Sequence, residues 1–296
     1  MTGRLQSRRG VALLIVVALL GVLAVLAGMT ALASRISTSS AFASLERLEL
    51  RTAIDSAAAR SAVQLANEED RWFSDGRLYE MEIGDVALDV RIIAEPGRFD
   101  LNQGNIETLA ALLEELDVST LTARRIAGAV SDWRDEDDDV GENGAESAAY
   151  RADGRTGPGN RPFLAVEEFR QVLGVDAALY ARAEPYLTIH GGEAVAGRYA
   201  PPALIAATGI SRGDALRILS AREGSRPIPE VNGAAQFDPA QPAVYALLIE
   251  AQARSGARMI REIIISLPGE EGLYDTLSRH SHVFGYGDFL DPESDA

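Results

Sequence analysis

The sequence predicts an α+β chain: one long N-terminal helix packed on a small antiparallel sheet, with a large all-α domain inserted into it. Three observations carry this. No proline falls between Val11 and Pro96, and no glycine between Gly28 and Gly76. Apolar residues alternate on either side of two turn signals, near residues 85 and 255. Between about Asn102 and Arg222 the pattern changes to short helices separated by turns.

The first element is apolar. After Arg8, Arg9 and Gly10, residues 11–33 contain no acid or base. At about 1.5 Å per residue, a helix of that length crosses the ~30 Å hydrocarbon core of a bilayer. A removed secretory signal has a shorter apolar region, about 7 to 15 residues. Arg4, Arg8 and Arg9 precede the run with no acid beside them, so the N-terminus is expected to stay cytoplasmic and the bulk of the chain to lie outside.

The helix is expected to continue past the span. Ile54, Ala58, Ser61 and Leu65 recur on one helical face, with Glu46, Arg47, Glu49, Arg51 and Arg60 elsewhere. A helix from about Val11 to Trp72 would be roughly 90 Å long. The small residues of that face allow close helix approach, and the family resemblance drawn below implies that they meet neighbouring subunits. A break near Ser37 to Ser40 is the alternative.

Strands follow. In "RLYEMEIGDVALDVRIIAE" a Gly84-Asp85 turn separates two runs, and Val86, Leu88, Val90 and Ile92 alternate. A second hairpin is expected around Ser255-Gly256, and "SRHSHVFGYG" supplies a last strand. Strands before and after a helical middle indicate a domain inserted into a small sheet. The middle repeats in pattern: "LDVSTLTARRIAGAVSDWR" and "TGISRGDALRILSAREG" each place a short turn before a helix carrying Ala, Ile and Arg. Such pairs occur in DNA-binding helical hairpins, but the acidic surroundings favour a packing unit.

Charge excludes several function classes. The chain has 28 basic residues, all Arg, against 44 acidic ones, a formal net charge of −16. That balance repels nucleic acid, and no nucleic-acid partner is expected. Without cysteine there are neither disulfides nor thiolate chemistry. No Gly-x-Ser-x-Gly elbow or phosphate loop is present, no catalytic residue is assigned, and nothing suggests an enzyme. His280 and His282 alternate on one strand face without an evident carboxylate, and read with His190 as surface residues rather than a metal site. Trp72 and Trp133 read as packing residues.

The densest polar feature is "SDWRDEDDDVGENGAESAAY", residues 131–150, with eight carboxylates between Asp132 and Glu146. Calcium takes six to eight oxygen ligands from flexible acidic loops and is one reading. Asp135, Asp137 and Asp139 alternate, Asn143 follows, and Glu146 is twelfth, as in an EF-hand loop. Val140 occupies the site that such a loop gives to glycine, and no exiting helix is expected after it. The other reading is a solvated acidic surface loop.

These residues carry a family resemblance. Arg9-Gly10 followed by "VALLIVVALLGVLAVLAG" resembles a prepilin-type leader, which a membrane aspartyl peptidase cuts after the glycine while the apolar helix is retained. With "GRFDLN", "DWRDED", "GAE" and Tyr150, "RPFLAVEEFRQVLGV", "YLTI" and the late hairpin, the chain resembles the minor pseudopilin K component of type II secretion systems.

The resemblance implies a leader at 1–10 cut between Gly10 and Val11, a transmembrane helix at 11–33, and a pilin-like stalk helix with first strands at 34–97. It further implies an inserted helical domain at 98–225 and closing strands at 226–296. It implies bound calcium, with Asp132, Asp135, Asp137 and Glu146 matching the acidic positions. It implies a structural subunit at the tip of a short pseudopilus in the inner membrane. Expected partners are the prepilin peptidase and the other minor pseudopilins, the I and J type components. Secreted cargo or the outer-membrane channel would be further contacts. Ile15 stands where most pilin-like subunits carry a glutamate, which suits a subunit with none above it to pair with. The alternative function is an uncleaved, membrane-tethered envelope binding protein that does not polymerise.

Overall fold

A computed structural model describes residues 7–67, 72–223, 243–269 and 272–281. Helix α1 (Ser7–Ala66) is unbroken through the serine-rich stretch. Further along, Ser44, Thr52 and Ser56 each donate to the carbonyl four residues earlier, at 2.8 Å, so these hydroxyls are satisfied within the helix. The helix ends at Ala66, short of Trp72. The next residues, Asn67 to Asp70, add three acids where the helix dipole disfavours them and offer no apolar face. Among the described residues no helix is long and apolar enough to cross a membrane. The side chains described in the apolar run are those of 13–29, so the expected span of 11–33 extends beyond them.

Five strands form one antiparallel sheet in the order β1-β2-β5-β6-β7. β1 (Asp75–Ile83) and β2 (Val86–Ala94) meet across Gly84 and Asp85, and Gly84 has φ 61°, which a two-residue turn requires. β5 (Val244–Ala253) and β6 (Arg258–Ser266) make the second hairpin, and β7 (Asp275–Ser281) lines its edge. His282 and the boundary at 225/226 lie outside the described residues.

The stalk part of α1 lies across this sheet. Leu50, Ile54, Ala57, Ala58, Ala62 and Leu65 are buried against Leu88, Val90, Leu247, Ile249 and Ile263. Alanines along this face let the helix axis approach closely, and Ser61 is wholly buried among them.

The chain leaves the sheet after β2 and returns as its neighbour β5, paired Ala94 with Tyr245. Between them a second hydrophobic cluster forms from residues of 99–218 alone, including Phe99, Leu112, Val130, Tyr150, Phe163 and Phe169. Strand β3 (Phe99–Asp100) pairs in parallel with β4 (Leu187–Thr188). The helices are α2 (Ile106–Glu115), α3 (Thr120–Arg134), α4 (Ser147–Ala152), α5 (Ala177–Ala183), α6 (Pro202–Ala207) and α7 (Arg212–Glu223). Residues Val166–Gln171 form a 3₁₀ turn. Glu168 is turned back on the chain there, accepting from Arg161 and the Leu164 N–H.

Candidate metal centre and assembly face

The acidic loop is anchored at its base. Asp132 sits on the last turn of α3 and is 1% exposed. Its carboxylate accepts from the Gly141 N–H at 3.2 and 3.3 Å, so the loop folds back over it. Gly141 and Gly144 make this approach feasible: a methyl group at either would run into the Asp132 carboxylate. Asn143, at φ 58°, turns the chain between them.

Glu146 completes the loop and is 4% exposed, yet neither carboxylate oxygen has a hydrogen-bond partner. Oδ1 of Asp135 and Oδ1 of Asn160 are likewise buried and unpartnered. Asn160 is tied to the loop by its amide nitrogen, which donates to the Asp137 carbonyl and to Asp138 Oδ1 at 3.1 and 3.2 Å. Buried acceptors without donors are costly, about 1–3 kcal/mol each and more when charged. Four such oxygens around one loop suit a hard cation.

Electrostatics point the same way. Burial pushes the Glu146 carboxyl above the ordinary range, and Asp132, Asp135 and Asp138 push it further. Asp135 is raised by burial and then by Asp137 and Asp132, while burial raises Asp132 against its backbone donors. Asp137 is placed differently from the other three expected ligands. It is exposed, and its Oδ1 accepts from the Asp139 N–H at 2.9 Å in a local turn. Among the described residues no three His, Asp or Glu side chains already converge as a formed metal site. Asn160 is the residue that sequence reasoning missed, because it lies fourteen positions beyond Glu146 in a Gly-Pro-rich segment. A short exiting helix, α4, does follow the loop, contrary to expectation.

The helix face expected to meet other subunits is not available. Ile54, Ala58, Ser61 and Leu65 are all buried against the chain's own sheet. A lone helix sequence shows that a face is apolar but not what covers it. The free apolar residues lie on the other side: Phe42, Leu45, Leu48 and Val63 are each more than half exposed. Gly10 and Val11 lie in the helical backbone of α1. His280 has a carboxylate beside it after all, with its Nδ1 3.1 Å from Glu167. Trp133 stacks on Phe163 in the insert core, and Trp72 stacks on Tyr79.

Comparison with known proteins places this arrangement. Residues 90–192 match the family described as type II secretion system (T2SS), protein K. Over that segment, about a third of its length, the chain is similar to this family. It is 31% identical over 204 residues to the type II secretion system protein K of Klebsiella pneumoniae, covering 61% of this chain and 62% of that one. The protein K of Dickeya chrysanthemi is 45% identical over 67 residues, 23% of this chain and 18% of its own. The chain thus spans less than two thirds of the length of these relatives.

Among solved structures, one similar to this chain is in the GspK-GspI-GspJ complex from enterotoxigenic Escherichia coli. It has a TM-score of 0.58 at 19% identity, over 80% of this chain and 98% of that one. At that identity it establishes the fold, an α+β architecture of long helix, antiparallel sheet and helical insert. The protein K match begins within β2 and runs through β3, the whole acidic loop and β4.

Proposed function

We propose that this chain is a minor pseudopilin, a structural subunit at the tip of the type II secretion pseudopilus. It initiates the filament with I and J type partners for protein export across the outer membrane. The observation that carries this is the two-sided stalk. One side of α1 is consumed by the chain's own sheet, and the other presents Phe42, Leu45, Leu48 and Val63. An apolar stripe beside a membrane-length run is suited to a neighbouring subunit's helix. The structurally similar chain comes from the GspK-GspI-GspJ complex, which supports those partners. The insert leaves the sheet between neighbouring strands and broadens the external end, which suits a cap better than a repeated subunit.

In this reading the protein is single-pass in the inner membrane, with its N-terminus cytoplasmic and its bulk periplasmic. Prepilin peptidase cuts between Gly10 and Val11. The acidic loop holds calcium, with Asp135, Glu146 and Asn160 offering the buried oxygens, Asp132 bracing the loop from below, and Asp137 at the rim. Calcium supplies the charge that these oxygens lack, and so fixes the loop on the insert core.

N-terminal sequencing of the chain isolated from membranes tests the assignment. A chain beginning at Val11 supports it. An intact leader, or labelling at regular intervals along a filament, overturns it in favour of an uncleaved tether or a repeated subunit.

A further inference from the structure

The two hydrophobic cores do not merge, and the chain joins them through polar residues. Just after β2, Glu95 is 1% exposed, and Arg98, three residues on, is 4% exposed. Arg98 Nη1 lies 3.2 Å from Glu95 Oε1 and 3.0 Å from Glu262 Oε1 on β6. Thr188 of β4, on the insert side, donates its hydroxyl to Glu95 Oε2. Sheet and insert are thus tied by a cluster in which two carboxylates share one guanidinium nitrogen. Two buried carboxylates converge on this nitrogen, and bringing like charges together out of water is costly.

We propose that this cluster is a proton-operated joint: with a proton on Glu95 the helical insert is clamped to the sheet, and without it the insert docks less firmly. The groups around Glu95 all bear on this. Arg98 favours its charged form, while Glu262 on β6 and Asp100 on β3 oppose it. Glu167, Glu184 and His190 from the insert, and His280 from β7, line the adjoining cleft. Burial first, and then Glu262 and Asp100, hold the Glu95 carboxyl up at about 7, against an ordinary 4.5. A group raised by the docked state stabilises that state fully below its ordinary value, and the stabilisation is lost as pH rises through about 7. That difference allows the undocking equilibrium to change by up to roughly a hundredfold between pH 5 and pH 8.

The native chain has no cysteine, so a single pair can be introduced at the exposed Glu115 of α2 and Gln252 of β5 and spin-labelled in the full chain in detergent. Pulsed dipolar spectroscopy should give a narrow distance distribution at pH 5.5 and a broader one at pH 8, with a midpoint near 7. Glu95→Gln removes the charge, keeps one acceptor oxygen for Arg98 and turns an amide N–H towards the Thr188 hydroxyl, and should stay narrow at both pH values. Glu262→Gln leaves Arg98 facing one carboxylate and should also remain narrow at pH 8, which serves if the first variant folds poorly. Identical distributions for the unsubstituted pair at both pH values overturn the proposal. So does a pH response that persists in both variants, which would pass it to the His280 and Glu167 pair.

Discussion

Asp117 and Gly209 hold the same place in two copies of one helical hairpin. Each stands two residues before the serine that caps the next helix, and each has positive φ, 64° and 78°. Ser119 accepts from the Thr122 N–H and Ser211 from the Asp214 N–H. Glycine adopts this conformation without penalty, whereas a side chain is crowded there. Asp117→Gly should therefore raise stability by about 0.5–1 kcal/mol, and Gly209→Val should lower it by about 1–2 kcal/mol. Thermal unfolding of the two variants checks both signs.

Glu146→Gln should act in opposite directions with and without calcium. In chelator it removes a buried charge that has no partner, so the melting temperature should rise. In calcium the ion's contribution, about 2.7 kcal/mol at ~100 times the dissociation constant, should fall away. Asn160→Ala should weaken calcium binding without that gain in chelator. Isothermal calorimetry with unfolding in each buffer separates these outcomes, and a chain with no calcium-dependent heat would return the loop to a solvated surface.

Calcium binding should also weaken as the solution is acidified. Asp132, Asp135 and Glu146 are all raised above the ordinary carboxylate range without the ion. Protons therefore compete at pH values above those at which exposed carboxylates titrate, and binding must release them. Proton release measured in buffers of different ionisation enthalpy should be positive and should grow as pH falls towards that range.

Ser61 is wholly buried on α1 and its hydroxyl oxygen has no partner. Ser61→Ala should be neutral or stabilising, by up to about 1 kcal/mol, because it removes an unmet polar group without opening a large void. Ala57→Leu, at a position equally buried, should destabilise by about 1–3 kcal/mol by wedging the helix off the sheet. Urea unfolding curves distinguish the two.

The two faces of α1 should separate folding from assembly. Leu45→Arg, on the exposed side, should leave the unfolding free energy within about 0.5 kcal/mol of unsubstituted protein while abolishing co-purification with I and J type subunits. Ile54→Arg, on the buried side, should prevent folding. Co-purification retained by Leu45→Arg would remove this face from the assembly.

Both hairpins were legible because Gly84-Asp85 and Ser255-Gly256 interrupt period-two runs that have no other stable reading. The unbroken helix was legible for the same kind of reason, the absence of proline and glycine. Its orientation was not. Ile54, Ala58, Ser61 and Leu65 make one apolar face whether a sheet or a second subunit covers it, and only β2 and β5 in place decide between them. In the acidic loop, the resemblance implied Asp132, Asp135, Asp137 and Glu146, and composition could not rank the eight carboxylates. Burial does so, sinking Asp132 and Glu146 and leaving Asp137 in solvent. Asn160 and the bridging of Glu95 and Glu262 by Arg98 depend on segments brought together from different parts of the chain, and periodicity carries no record of that.

The central pair of the sheet joins Ala94 to Tyr245, with the whole insert between them. While the chain is being delivered N-terminus first, α1 and the β1-β2 hairpin emerge with one side of β2 bare, and the strand that closes it arrives only after the insert. Long-range closure of this kind is slow, and an open strand edge invites pairing with other chains in the meantime. Until the insert has been made, the apolar face of the stalk has β2 but not β5 to cover it, so closure of this core waits on a late strand rather than on the first helix.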